Sequence, residues 1–177
     1  MNVCSVTHRA ARGRCMPVHS RFSAPRTSIV VPSSIVEPPQ LTIKVLLVDD
    51  DELVLDYLSL FVAAAGYEVI RATSGEAALA SMQRDFAQIV MLDIGMPGMD
   101  GLELCRAIRR QTYSGYVYIL LHTSRDTGED ILEGLDAGAD DYLSKGTPKA
   151  QIIRRLGTAQ RILSHQHALK ISLAQGA

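Results

Sequence analysis

The 177-residue chain has three cysteines, Cys4, Cys15 and Cys105, an odd and sparse set that does not build a disulfide scaffold. Neither sign of charge is in excess, with 18 Lys+Arg against 19 Asp+Glu and a formal net charge of −1. A protein that coats nucleic acid or an acidic membrane needs a strongly basic balance, so neither kind of direct binding is expected. No apolar run approaches the roughly 18 residues of a spanning helix. The N-terminus lacks the apolar stretch of about 7–15 residues that a secretory signal requires. No internal repeat is visible, which excludes a solenoid or a propeller. What remains is enough apolar sequence, 47% of the chain, for one domain with a sizeable core.

The balanced charge hides a division. Residues 1–40 hold five of the seven prolines, five arginines and a single acid, Glu37. From Leu41 onward the count is 13 basic against 18 acidic, a net of −5. Prolines and serines without apolar periodicity cannot bury enough surface to offset the entropy of ordering, so residues 1–40 are expected to be a disordered basic tail. Its Arg-rich, acid-poor composition resembles an organelle transit peptide; a solvated tail and a start assigned too far upstream are the alternatives.

After Leu41, short apolar runs alternate with longer amphipathic segments. The runs predict strands at Lys44–Val48, Tyr67–Arg71, Ile89–Leu92, Val117–Leu121 and Asp141–Leu143. The periodic segments predict helices at Glu52–Ala65, Ser74–Asp85, Gly101–Arg110, Asp126–Ala137 and Pro148–His167, with Gly157 a place for a bend. Ser74 reads as an N-cap and Gly66 as a C′ glycine. Near-continuous apolar strands such as VLLV and YILL are covered on both faces, and five strands alternating with five helices imply right-handed βαβ units in a parallel α/β sheet.

In such a sheet ligands gather beyond the carboxyl ends of the strands. There the sequence offers Asp49, Asp50 and Asp51 after strand one, Asp93 and Gly95 after strand three, His122-Thr123-Ser124 after strand four, and Ser144-Lys145-Gly146 after strand five. Clustered carboxylates repel unless a cation intervenes, and oxygen-only ligands favour a hard ion such as Mg²⁺. A carboxylate can also accept a phosphoryl group, whose oxygens Lys145 and Thr123 would then neutralise. Taken singly, Asp49–Asp51 read more readily as helix caps and Asp93 as a turn residue. Their occurrence together at one edge favours chemistry.

The segments VLLVDDDE, MLDIGMPGMDGLELCRAIR, LLHTS and GADDYLSK resemble the receiver domain of two-component response regulators, from about Leu41 to His165. The resemblance implies a flavodoxin-like doubly wound five-stranded parallel sheet of order 2-1-3-4-5 with helices on both faces. It implies that Asp93 is the phosphoacceptor, served by a histidine kinase or a histidine phosphotransfer protein. Mg²⁺ would be held by Asp49, Asp50, Asp93 and the backbone carbonyl of Gly95. Lys145 would pair with the phosphoryl oxygens, while Thr123 and Tyr142 would act as the switch. The readout surface would be the fourth helix, fifth strand and fifth helix, meeting a downstream protein effector or a second copy in a homodimer.

Three positions depart from the family pattern. Gly146 follows Lys145 where a proline is common, which implies a looser loop. Gly95 leaves the phosphorylation site without a neighbouring side chain, and so open to water. His122 stands where an apolar residue is usual and reads as a satisfied near-core side chain. The expected division is thus a tail at 1–40, a receiver at 41–166 and a helical extension at 167–177, too short for an output or DNA-binding domain. A cytoplasmic, stand-alone phosphoacceptor that turns over no separate substrate is the expectation. A phosphorylation-independent pseudo-receiver is the alternative. A phosphatase of the haloacid dehalogenase type is disfavoured, since position 95 lacks the second acid.

Overall fold

A computed structural model describes residues 42–125 and 127–175. The expected tail and the proposed start of the fourth helix at Asp126 lie outside the described residues. The elements run β1 (Lys44–Val48), α1 (Glu52–Ala64), β2 (Glu68–Ala72), α2 (Gly75–Arg84), β3 (Ile89–Leu92), α3 (Gly101–Arg110), β4 (Tyr118–Thr123), α4 (Gly128–Asp136), β5 (Asp141–Ser144) and α5 (Lys149–Gln175). All strand pairs are parallel, in the order β2-β1-β3-β4-β5.

Alternation along the strands builds two cores. Leu46, Val48, Val90, Leu92, Ile119 and Leu121 face α2 and α3, where Ala78, Met82, Leu104 and Ile108 meet them. Val45, Leu47, Ile89, Met91 and Leu120 face α1 and α5, which contribute Leu55, Leu58, Val62, Ile152, Leu156 and Ala159. Burial on both faces explains why the central strands read as unbroken apolar runs.

Local signals act as expected. The Ser74 side chain accepts from the Ala77 N–H at 3.2 Å, and Gly66 takes φ +92° after α1. Most boundaries shift by a residue or two, and two elements extend further along the chain than expected. β4 continues through His122 and Thr123 instead of stopping at Leu121, because these residues pair with Leu143 and Ser144 of β5. α5 passes through Gly157 unbroken, held on either side by the buried Leu156 and Ala159, and continues to Gln175. Among the described residues no helix is long and apolar enough to cross a membrane.

Candidate functional site

The carboxyl edge of the sheet is aligned by the backbone itself. The Asp49 N–H donates to Ala72 O at 3.2 Å, the Asp93 N–H to Val48 O at 2.9 Å, and the Lys145 N–H to Thr123 O at 2.9 Å. Each bond carries the parallel ladder one residue beyond a strand, so the side chains that follow β1, β3 and β5 are held in fixed register.

The three aspartates after β1 divide the work. Asp51 is the N-cap of α1 and accepts from the Leu53 N–H at 2.9 Å. Asp49, 1% exposed, accepts from the Asp51 N–H with Oδ1 at 3.0 Å and from Lys145 Nζ with Oδ2 at 2.8 Å. Asp50 is exposed, and its carboxylate joins those of Asp49 and Asp93 in a group whose ligand oxygens all lie within 4.8 Å of one another.

Asp93, 5% exposed, accepts from Lys145 Nζ with Oδ2 at 2.8 Å, while its buried Oδ1 has no hydrogen-bond partner. Two carboxylates therefore share one ammonium, and Asp50 adds further negative charge. An all-oxygen acidic group with one orphaned buried oxygen fits a hard cation such as Mg²⁺, with Asp49, Asp50 and Asp93 as its donors.

The electrostatics follow from burial and from Lys145. Burial pushes the Asp49 carboxyl above its ordinary range, and the ammonium only partly offsets this. Burial acts on Asp93 in the same sense. There it is outweighed by Lys145, the nearby Thr123 hydroxyl and the Gly95 N–H, which hold the carboxyl below its ordinary range. Burial depresses Lys145, yet Asp49 and Asp93 together keep it raised and charged. Thr123 lies close enough to influence Asp93, but the hydrogen bond its oxygen makes is from the Arg125 N–H at 3.3 Å.

The remaining expected residues surround this centre. Thr123 is fully buried at the end of β4. Tyr142, on β5, packs half-buried against the core that faces α2 and α3. Gly95 is exposed, and a Cβ built there would meet the Asp93 Oδ2 at 3.8 Å. The Lys145–Gly146 peptide is trans. His122 corrects one expectation: it is 4% exposed, but neither ring nitrogen has a hydrogen-bond partner. Burial, with Lys145 adding to it, lowers its pKa to about 4, so it is neutral at pH 7.

The family model for the response regulator receiver domain matches residues 45–157. The chain belongs to that family. This receiver is 37% identical over 117 residues to the sensory transduction protein RegX3 of Mycobacterium tuberculosis, covering 66% of this chain and 50% of that protein. It is 34% identical over 121 residues to the response regulator PleD of Caulobacter vibrioides, covering 68% and 27% respectively. The chain thus spans half or less of the length of these curated relatives. Among solved structures, chemotaxis protein CheY4 of Vibrio cholerae superposes with a TM-score of 0.63 at 32% identity, covering 67% of this chain and 98% of that one.

One polar network had no signal in the sequence. Arg109, in the last turn of α3, donates to Gly138 O and Val117 O, each at 2.7 Å, and to Asp140 Oδ2 at 2.6 Å. Asp140 also accepts from the Ile119 N–H at 2.7 Å and from the Tyr116 hydroxyl. It ties α3, the start of β4 and the turn before β5 at the edge of the sheet opposite Asp93. A basic residue at a helix end reads locally as a match to the helix dipole, which hides its long-range partners.

Proposed function

We propose that this receiver is a phosphoacceptor in which Asp93 takes a phosphoryl group from a phosphohistidine on a sensor histidine kinase or phosphotransfer protein. The observation that carries this reading is the Asp93 carboxylate itself: nearly buried, kept anionic by Lys145, and with one oxygen unpaired. In the transfer a P–O bond to Asp93 forms as the P–N bond of the donor breaks. Asp49, Asp50, Asp93 and the Gly95 carbonyl would hold Mg²⁺, which when bound would neutralise charge on the phosphoryl oxygens. Lys145 moves from its two carboxylates onto the incoming oxygens, and Thr123 turns its hydroxyl toward them.

The added charge, about −1.5 to −2, gives Lys145 and Thr123 a new anchor and biases Tyr142 and the α4–β5–α5 face toward a second arrangement that a protein effector reads. The receiver acts in the cytoplasm and turns over no separate substrate; its chemistry is transfer to its own aspartate and hydrolysis from it.

The decisive experiment is incubation of the full chain with acetyl phosphate and Mg²⁺, followed by intact mass measurement. A gain of one phosphoryl in wild type, absent from Asp93→Asn and after chelation, is expected. A mass that never changes, together with no stabilisation by beryllofluoride, would instead favour a pseudo-receiver.

A further inference from the structure

At the edge of the sheet away from Asp93, α5 runs past the strands and overhangs the loops that lead into β3 and β4. Beneath it lies a cavity of about 300 Å³, within the range of small-molecule sites. Phe86, Tyr116 and Leu163 give it apolar walls, while Gln166, His167 and Lys170 line it from the overhanging part of α5.

The composition of the lining is selective. Among the described lining residues there is no carboxylate, in a region whose net charge from Leu41 onward is −5. The adjoining acids are already engaged: Asp85 with Lys44, and Asp140 with Arg109 and the Tyr116 hydroxyl. The aromatic wall is braced in advance. The Arg109 guanidinium lies 5.2 Å from the centroid of the Tyr116 ring, and Phe86 stacks on Tyr113 at 5.8 Å. Walls held this way lose little freedom when a ligand arrives.

We infer that this cavity binds a small organic anion with a planar apolar body, its rings against Phe86 and Tyr116 and its charge at Lys170 and His167. The site is separate from the phosphorylation centre and uses none of its residues. Its existence depends on the length of α5, because a helix ending at Leu163 would lack the cationic rim. Gly115 offers a way to close it. A Cβ there makes ordinary contact with the Phe86 ring, at 3.6 Å, so a larger side chain can fill the space without striking backbone.

The test titrates the full chain with 1-anilinonaphthalene-8-sulfonate, followed by fluorescence, against the uncharged N-phenyl-1-naphthylamine, which carries the same rings. Saturable one-to-one binding of the sulfonate is expected, weakened about tenfold or more in Lys170→Glu and in Gly115→Leu, with the neutral amine weaker by a similar factor. Leu173→Ser, on the exposed end of α5, should leave binding unchanged. Equal affinity for the neutral amine would overturn the anion class. Loss of binding in Leu173→Ser, indifference to both cavity variants, or absence of saturation would overturn the site. If Gly115→Leu does not fold, Lys170→Glu at the exposed helix surface decides, together with amide shifts at Gly115 and Tyr116 in the wild-type chain.

Discussion

His122 and Gly95 show how single positions set the behaviour of this receiver. His122 is buried with both nitrogens unpaired, so its charged form is strongly disfavoured in the fold. Its folded pKa of about 4 lies below the 6.5 of an exposed imidazole. Between those values the unfolded chain binds a proton that the folded one refuses. This contribution is fully present above pH 6.5 and is lost as pH falls toward 4, amounting to about 3 kcal/mol across the window. His122→Leu should stabilise the fold and flatten that part of the pH dependence, measured by urea denaturation at pH 7 and pH 4.5. An unchanged slope would show that the imidazole finds a partner in solution. At Gly95, where a Cβ would meet only the Asp93 Oδ2 at 3.8 Å, water would reach the acyl phosphate of the proposed reaction. Gly95→Arg should lengthen the phosphoryl lifetime by about tenfold, equivalent to about 1.4 kcal/mol in the hydrolysis barrier; equal decay in the two proteins, followed by mass spectrometry, would remove this account.

Two helices sit close to their strands through glycine, with different consequences. A Cβ on Gly101 would lie 2.1 Å from the Asp93 carbonyl oxygen, which is backbone and cannot yield locally. Gly101→Ala must push α3 away from β3 and carry Asp93 with it. The expected cost is about 1–3 kcal/mol of stability, together with weaker phosphorylation. A Cβ on Gly134 would lie 2.4 Å from Leu121 Cδ1, the end of a side chain that can rotate. There a gain in helix propensity of about 1 kcal/mol offsets the overlap, so Gly134→Ala should be near neutral in stability. Its effect should appear as faster amide exchange along α4, the helix in which only Gly134 is buried. The start of α4 was expected at Asp126, two residues before Gly128, whereas that of α3 at Gly101 was legible beforehand. The end of β4 was not, because a strand stops where its neighbour stops offering partners, and β5 lies some twenty residues further along the chain.

At the scale of the molecule, the two edges of the sheet carry different charge: carboxylates about one ammonium at one edge, and the Arg109 network beside a cationic cavity at the other. Mg²⁺ that binds the folded acids and not the unfolded chain stabilises by mass action, by about 2.7 kcal/mol at a hundred times its dissociation constant. Thermal unfolding with Mg²⁺ and then with excess chelator should show that gain and its loss in wild type and neither in Asp50→Asn; an identical response of the two proteins would place the ion elsewhere. The net charge of −1 describes neither the basic first forty residues nor the acidic remainder. The sequence by itself determined the kind and order of the elements and the residues that follow each strand, because capping, periodicity and strand ends are local signals. Only the tertiary structure decided that Asp51 caps α1 while Asp49 holds Lys145, that His122 is buried without a partner, and that the tail of α5 roofs a cavity. Lys145 and Asp93 are 52 residues apart, and contacts at that distance depend on register across the sheet and on how closely the helices pack. No stretch of sequence specifies those alone.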